Sequence, residues 1–216
     1  GNLFGIVSGR GPSNLVDLHK TNNFECDFLL AANGAVVMDS EGRILAESRC
    51  DGKLARPLLE FLISQGCFWA DIHSEFKYSV EERDDERDDG EFTLETLPEI
   101  PYFNQINTSL PSFEEAARVT DEIRNNFGDY LNPLQNGNCI DIVSADMNKA
   151  QGLYSLLRIV GAEYEDMITV GDNINDTHMI AEFRSYAMEN AVQAIKDIAD
   201  YETHGITELI EKEMGM

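Results

Sequence analysis

Apolar and polar positions along the chain form two patterns, and the more regular one lies toward the C-terminus. Beyond Ser144, apolar runs typical of buried strands, "MITVG" and "SYAM", alternate with segments whose apolar residues have helical spacing. In the first of these segments the spacing is i, i+3, i+4, i+7, and Gly161 ends it. Short apolar strands that alternate with helices predict an α/β protein, with a parallel sheet covered on both faces.

Toward the N-terminus, the pattern predicts strands joined by tight turns. The run "NLFGIVSG", from Asn2 to Gly9, predicts a buried strand that ends in a polar turn. Ser13 is a candidate N-cap for the short helix that follows. The run "FLLAANGAVV" is interrupted by Asn33-Gly34, a strong turn signal, and "SEGRI" supplies a second turn, so a hairpin is expected there.

The middle of the chain mixes helices and strands in a less regular order. Apolar residues over 54–62 share one helical face, and a second helix is predicted after Ser112, which forms a capping box with Glu115. The runs "CFWADIH", "YFNQINTSL" and "CIDIVS" (residues 139–144) predict strands. The strongly acidic run over residues 81–91 is predicted to be a solvent-facing loop.

Composition and charge exclude several classes of partner. The 216 residues carry a formal net charge of −24, which repels nucleic acid and anionic membranes, so we predict neither as a partner. The sequence has no apolar stretch near the roughly 18 residues that a membrane span needs and no signal-peptide pattern. The four cysteines are scattered without a CxxC pair, which favours a reducing compartment, and we expect a cytoplasmic protein. No sequence feature indicates an oligomeric state.

Two aspartates stand directly after a predicted strand in "ITVGDNIND". Asp172 follows the strand, and Asp176 falls in the first turn of the next helix. Ligands of open parallel sheets bind beyond the carboxyl ends of the strands, so both carboxylates would face that edge. Mg²⁺ takes oxygen ligands, often one or two carboxylates with several waters, and is the cofactor that this pair indicates. The alternative is that both aspartates only cap the helix and interact favourably with its dipole.

Other strand ends carry residues that suit a phosphoryl group. Ser8 and Gly9 end the first strand, where a hydroxyl and free backbone amides can hold phosphoryl oxygens. Lys149 stands just ahead of a helix and would supply a point cation in an acidic chain. Taken singly, Ser8 is an ordinary turn residue and Lys149 a solvated cation. Serine, lysine and a carboxylate pair on successive strand ends are, however, the parts of a phosphoryl-transfer site.

Several stretches together resemble the haloacid dehalogenase superfamily, in its Cof-like branch of sugar-phosphate phosphatases. They are "FGIVSGR", "AANGAVVMDSEGRIL", "NKAQGLYSLL", "ITVGDNINDTHMI" and "YAMENAVQAIKDIADYET", and "GDNIND" in its strand–turn–helix context is the most specific. The resemblance implies a Rossmann-like parallel sheet core over residues 1–52 and 139–216. It also implies an inserted α/β cap domain over residues 53–138, whose surface would choose the substrate.

The same resemblance implies an activity and a set of site residues. The activity is the Mg²⁺-dependent hydrolysis of small phosphorylated metabolites such as sugar phosphates, through a phosphoaspartate. The implied catalytic residues are Ser8, Lys149 and Asp172, with Asp172 and Asp176 as metal ligands. The implied substrate and phosphate contacts are Ser8, Gly9, Arg10, Asn33, Gly34, Lys149, Asn175 and Asn190.

One motif of the family has no counterpart in these residues. Family members begin with a strand ending in DxDG(T/S), whose first aspartate is the nucleophile and whose second is the general acid/base. The similar string Asp88-Asp89-Gly90 lies in the acidic run without an apolar strand before it, so we reject it as a substitute. A smaller departure is Ala150, where the branch usually has glycine.

The missing motif changes the expected activity and the expected sheet. Without the nucleophile the chain as written should be inactive. Without the central first strand, two core strands would keep unpaired edges or be forced together. Two interpretations therefore stay open. The chain is a truncated product, fragment or incomplete record of a phosphatase, or it is an inactive remnant that binds phosphate, metal or a partner.

Overall fold

The computed structural model describes residues 2–22, 25–67, 69–81 and 91–215. The chain divides into two compact units, Gly1–Gly152 and Leu153–Met216. Both units combine helices with sheets that contain parallel strands, which confirms the predicted α/β class.

The first unit begins with a four-stranded sheet and one helix. Its strands lie side by side in the order β1 (Gly5–Val7), β2 (Phe28–Ala31), β3 (Val36–Asp39) and β4 (Ile44–Glu47). Helix α1 (Pro12–Asn22) joins β1 to its parallel neighbour β2, whereas the other pairs are antiparallel. Apolar side chains of α1, β2 and β3 form a core whose buried members are Leu15, Leu29, Ala31, Ala32, Ala35, Val36, Met38 and Val143.

A five-stranded antiparallel sheet with two helices forms the rest of the first unit. Its strands, in spatial order, are β10 (Leu131–Asn136), β11 (Cys139–Ser144), β9 (Gln105–Ser109), β6 (Trp69–His73) and β7 (Lys77–Glu81). Apolar faces of α2 (Ala55–Ser64) and α3 (Phe113–Phe127) are buried in its core, and a short ribbon pairs β5 (Cys50–Asp51) with β8 (Tyr102–Phe103). Ser112 Oγ accepts from the backbone N–H of Glu115 at 3.2 Å, which confirms the predicted helix cap.

The second unit contains a three-stranded parallel sheet. Its strands lie in the order β12 (Ile168–Gly171), β13 (Arg184–Met188) and β14 (Tyr201–Thr203). The helices that follow them are α5 (Thr177–Glu182), α6 (Gln193–Lys196) and α7 (Ile206–Met214). Helix α4 (Lys149–Val160) begins in the first unit and continues into the second, and Gly161 follows it with a φ of 69°. The regular pattern beyond Ser144 therefore predicted the elements of this unit well, apart from β14.

Two local predictions near the N-terminus need correction. The predicted buried strand from Asn2 to Gly9 is only three residues long in the structure, and Gly5 is exposed while Ile6 and Val7 are half-buried, because β1 has a strand neighbour on one side only among the described residues. The predicted N-cap Ser13 lies inside α1, which begins at Pro12. Proline suits the first helical position because it lacks an N–H that would have no partner there.

The strand β11 belongs to the five-stranded sheet, although the sequence placed it with the core. It pairs with β10 across a tight turn at Gly137, where φ is 63°, and with β9 on its other side. The sheet of the middle part therefore extends six residues beyond the predicted boundary at 138, to Ser144. The division into a core and an inserted cap stays a prediction. Of the acidic run, residues 82–90, which include Asp88-Asp89-Gly90, lie outside the described residues.

The strands that end at the candidate sites belong to separate sheets. Within the described part of the chain, β1 pairs with β2 and β12 pairs with β13. The expected absence of a strand between them stays a prediction. In the same described ranges, no helix is both long and apolar enough to span a membrane, and Cys26, Cys50, Cys67 and Cys139 are free thiols.

Candidate functional site

The segment Ser8–Gly11, named the phosphate loop because it carries predicted phosphate contacts, continues the pairing of β1 with β2 beyond the strand ends. Ser8 donates its N–H to Leu30 O at 2.8 Å, and Asn33 donates its N–H to Ser8 O at 3.0 Å. The preceding residue, Ala32, donates its N–H to Arg10 O at 2.7 Å. Ser8 Oγ accepts from the N–H of Arg10 at 3.2 Å, so the serine side chain turns into the loop. The backbone of the phosphate loop is thus fixed against residues 30–33.

The turn after β2 brings the start of α4 close to this loop. Gly34 has a φ of 92°, and a Cβ there would lie 2.7 Å from Asn148 O and 3.0 Å from Gly152 Cα. Such close backbone contact is open only to glycine. Lys149, the first residue of α4, is therefore held beside the Asn33–Gly34 turn, and its side chain is buried.

A buried polar network links the turn to the five-stranded sheet. Asn33 Nδ2 donates to Asp141 Oδ2 at 2.9 Å and to Gln105 Oε1 at 3.2 Å. Gln105 Nε2 donates to Gly9 O at 2.8 Å. All three side chains are buried, and Asn33 Oδ1 has no hydrogen-bond partner among the residues that the structure describes. The phosphate loop is therefore contacted by residues of β9 and β11 as well as by its own sheet.

Burial governs the ionisation of Asp141. Removal from water raises the pKa of this carboxyl to about 6, although the hydrogen bond from Asn33 and the charge of Lys149 both act to lower it. A carboxyl with a shifted pKa beside a polar loop is a functional-site candidate. Neither Asp141 nor Gln105 was identified from the sequence. The available signal was a single carboxylate between isoleucines in "CIDIVS", in an otherwise apolar strand.

His73 packs against the far end of the phosphate loop. A Cβ on Gly11 would lie 2.1 Å from the imidazole, so the ring lies directly on the backbone. His73 Nε2 is 2.8 Å from Asn107 Oδ1. Burial lowers the pKa of His73, which keeps the ring neutral near pH 7. The histidine is a packing residue of the loop rather than a charged contact.

A cavity of the first unit lies beside this contact. It has a volume of about 710 Å³, and its walls come from α1, the β3–β4 hairpin and the turn after β6; they include Ser13, Asp17, Ile44, Arg49 and Phe76. His73 also lines it, but none of the predicted phosphate contacts does. Of the predicted contacts in the first unit, Ser8, Gly9, Asn33 and Gly34 pack with the start of α4 instead.

In the second unit, the two predicted metal ligands occupy different environments. Asp172 is exposed at the carboxyl end of β12. Asp176 is buried, and its Oδ2 accepts from the N–H groups of Asp172 at 3.0 Å and Asn173 at 3.2 Å. Its carboxylate folds back so closely that a Cβ on Gly171 would lie 2.7 Å from Oδ2. Asp176 thus performs the capping role that the sequence left open as an alternative, and its role as a metal ligand stays a prediction.

Two predicted contacts of the substrate flank Asp172. Val192 donates its N–H to Asp172 O at 3.0 Å, which holds the turn at Asn190 beside the end of β12. Asn190 is exposed, and Asn175 is half-buried in the short turn before α5. Together they form a polar rim along the carboxyl ends of β12 and β13.

The donor set around Asp172 suits Mg²⁺ only with help from other ligands. Mg²⁺ commonly binds through one or two carboxylates and completes its shell with waters and substrate oxygens. Asp172 supplies an exposed carboxylate of this kind. In the residues described, no group of three or more His, Cys, Asp or Glu side chains forms a ready-made site. Asp172 is therefore the residue that would hold the ion.

The structure assembles the predicted site residues into two groups. In the first unit it brings together Ser8, Gly9, Asn33, Gly34 and Lys149, whereas the side chain of Arg10 is exposed. In the second unit it places Asp172, Asn175, Asp176 and Asn190 on neighbouring strand ends. The convergence of the two groups in one pocket stays a prediction.

Comparisons with known proteins agree on a family. The model of the haloacid dehalogenase-like hydrolase family matches residues 1–208. Phosphatase YwpJ of Bacillus subtilis is 23% identical, with 95% of this chain and 86% of that protein covered. A phosphoglycolate phosphatase of Methanothermobacter thermautotrophicus is 32% identical, over 44% of this chain and 46% of that protein. The solved structure of a sugar phosphatase of HAD subclass IIB has a TM-score of 0.76 at 18% identity, with 98% of this chain and 85% of that chain covered.

Proposed function

Because the chain belongs to the haloacid dehalogenase-like hydrolases, we propose that it carries the phosphate- and metal-binding parts of a Mg²⁺-dependent phosphatase. The reaction is the hydrolysis of a phosphoric monoester. The observation that best supports it is the cluster in the first unit, where Ser8, Gly9 and Lys149 lie together at the ends of β1 and β2. A hydroxyl, a backbone amide and a cation in one place suit a transferring phosphoryl group.

Each residue has a part in binding and orienting the phosphoryl group. Ser8 and Gly9 hold its oxygens, and Lys149 balances its charge. Asp172 holds Mg²⁺, which when bound supplies positive charge for the phosphoryl oxygens. Asn175 and Asn190, on the rim beside Asp172, contact the oxygens or the rest of the substrate. The chain has a net charge of −24, which disfavours anionic substrates, and these local cations would offset that repulsion at the site.

The substrate proposed is a small phosphorylated metabolite such as a sugar phosphate. The similar proteins support a phosphatase reaction, but they do not point to a single substrate. One is named a phosphoglycolate phosphatase, and a structural neighbour is named a sugar phosphatase. Nucleic acid and anionic membranes are not proposed as partners, because the net charge repels both. Four free thiols support a reducing compartment such as the cytoplasm as the place of action.

Turnover also needs a nucleophile. The 216 residues contain no DxDG(T/S) string, and no base is placed beside Ser8 in the sequence to activate its hydroxyl. We propose that the phosphoaspartate forms only when that motif is supplied to this chain. The second candidate function, favoured by the same observation, is a binding module that holds phosphate or metal without turnover.

Steady-state phosphate release over a panel of sugar phosphates, with and without Mg²⁺, tests this proposal. We expect no turnover from the 216-residue chain and Mg²⁺-dependent turnover once an N-terminal strand with DxDG(T/S) is added. In the extended chain, Asp172→Ala should abolish activity, while Asp197→Ala, on an exposed carboxylate of the same unit, should not. Strong turnover by the 216-residue chain would contradict the need for the motif. Phosphate binding without turnover in the extended chain would favour the binding module.

A further inference from the structure

Three side chains far apart in sequence form a hydrogen-bond chain that ends on the phosphate loop. A carbonyl oxygen can only accept, so Gly9 O requires the amide nitrogen of Gln105 to face it. Gln105 Oε1 must then accept from Asn33 Nδ2, whose other hydrogen is left for Asp141 Oδ2. The Gly9 carbonyl thus sets the direction of every bond, and Asp141 has to act as an acceptor.

The backbone at Gly9 lies directly on this network. A Cβ there would be 2.7 Å from Asp141 Oδ2, 3.2 Å from Asn33 Nδ2 and 3.3 Å from Asn33 Oδ1. Asn33 is fully buried and Asp141 is 9% exposed, so neither side chain can move into solvent to relieve a clash. The two side chains therefore leave no room for a side chain at residue 9 and lie in close contact with the loop backbone.

Asn33 itself is held in an unfavourable state. It and Ala32 have φ values of 53° and 51°, in the left-handed region that costs free energy for residues with a Cβ. Its Oδ1 is buried without a hydrogen-bond partner among the residues described. Strained backbone and an unsatisfied buried amide persist only where the surroundings determine the geometry, and they occur preferentially at functional sites.

On the basis of the function proposed above, we propose that Gln105 and Asp141, acting through Asn33, are positioning residues that fix the phosphate loop for phosphoryl binding. They belong to β9 and β11, so the five-stranded sheet sets the geometry of Ser8 and Gly9 without itself touching the phosphoryl group. We name this set of three side chains the latch. The resemblance gave the middle part of the chain only the role of choosing the substrate. The proposed latch gives the five-stranded sheet a second role, in the phosphate site.

Isosteric substitutions separate this role from simple packing. Gln105→Glu keeps the shape but loses the donor to Gly9 O, and Asp141→Leu keeps the branched skeleton, with larger methyl groups, but loses the acceptor for Asn33. Asp141→Asn keeps an acceptor oxygen and should restore the latch. The matched control is Gln135→Glu, because Gln135 on β10 also donates its amide to backbone carbonyls, those of Phe113 and Gly137, away from the loop.

Two measurements on the full chain at pH 7.5 decide the proposal. The first is NMR amide exchange of Ala32 and Asn33, which donate to Arg10 O and Ser8 O. The second is the affinity for inorganic phosphate by calorimetry. Loss of one hydrogen bond should speed exchange and weaken phosphate binding about tenfold in Gln105→Glu and Asp141→Leu. Asp141→Asn and Gln135→Glu should show neither exchange more than about twofold faster nor phosphate binding more than about twofold weaker than the unaltered chain.

The results that would contradict the proposed role of the latch differ from those that would contradict the proposed phosphatase function. Unchanged exchange in Gln105→Glu and Asp141→Leu would show that the latch does not hold the loop. Faster exchange with unchanged phosphate affinity would show that the loop position does not serve binding. If the unaltered chain binds no phosphate, the proposed phosphate site is refuted, and with it the purpose of the latch. Amide exchange would still show independently whether the three side chains fix the loop.

Discussion

The predicted phosphate residues of the first unit, named the phosphate side, and the predicted metal residues of the second unit, named the metal side, are held in different ways. The loop with Ser8 and Gly9 packs against a network of buried side chains that are distant in sequence. Two of its members, Asn33 and Asp141, are 108 positions apart. Asp172 and its neighbours are held by hydrogen bonds within one short stretch, and Asp172 itself is exposed. The phosphate side is preorganised by the fold of the first unit, whereas the metal side is a local turn that relies on added ligands.

Because of this difference, we expect a substitution at the turn beside Lys149 to have the largest effect on the free energy of unfolding. Gly34→Ala should destabilise the protein by about 2–5 kcal/mol, because the new Cβ meets Asn148 O and the φ of 92° disfavours a side chain. Chemical denaturation measures the free energy of unfolding. Gly137→Ala is the control, since its φ is also positive but nothing lies within 4 Å. A loss as small as the control's, about 1 kcal/mol, would show that the close packing is unimportant.

The second largest effect is expected in the pH dependence of stability, because the carboxyl of Asp141 is buried. The pKa of Asp141 is raised from 3.8 to about 6 in the folded protein, so its stabilising contribution is complete below pH 4 and lost as pH rises through 6. Two pKa units correspond to about 3 kcal/mol. Asp141→Asn cannot ionise, so its stability relative to the unaltered chain should rise by about that amount between pH 4 and pH 7. Parallel stability curves for the two proteins would contradict the raised pKa.

On the metal side, the buried aspartate should matter more for stability than the exposed one. Asp176→Ala removes the acceptor for two backbone N–H groups and should cost about 1–2 kcal/mol. The check is thermal unfolding followed by circular dichroism. An unchanged melting temperature would contradict this prediction. It would show that the carboxylate of Asp176 does not stabilise the turn.

The smallest stability effect is expected at Asp172. Asp172→Asn changes an exposed side chain and should alter the free energy of unfolding by less than about 0.5 kcal/mol. The same variant should lose most of its affinity for Mg²⁺, because one anionic ligand becomes neutral. Titration calorimetry with MgCl₂ at low salt measures that loss. Equal affinities in the variant and the unaltered chain would exclude Asp172 as a ligand.

The same comparison explains what the sequence could predict. Asp172 and Asp176 are close in sequence to the strand that positions them, so both could be predicted as metal ligands from one stretch, and that role stays a prediction. The helix cap at Ser112 and the turn at Asn33-Gly34 are local in the same sense, and both were predicted correctly. Gln105 and Asp141 act on a loop that is nearly one hundred residues or more away, and only the folded chain brings them to Gly9.

The element placements that differ from the sequence predictions have a similar cause. The strand β11 is apolar enough to resemble a core strand, but its place is set by pairing with β9 and β10. Side-chain periodicity gives the faces of a strand and does not give its neighbours. The position of Ser13 was missed because proline can itself begin a helix.

The most direct test of the central claim, that both groups serve one phosphate site, is the effect of Mg²⁺ on phosphate affinity. Inorganic phosphate is titrated into the 216-residue chain with and without saturating Mg²⁺, and also into Asp172→Asn and the control Asp197→Asn. We predict that Mg²⁺ strengthens phosphate binding by about tenfold or more in the unaltered chain and the control, and that Asp172→Asn removes this coupling. Phosphate binding that is indifferent to Mg²⁺, or coupling that survives Asp172→Asn, would contradict a shared site.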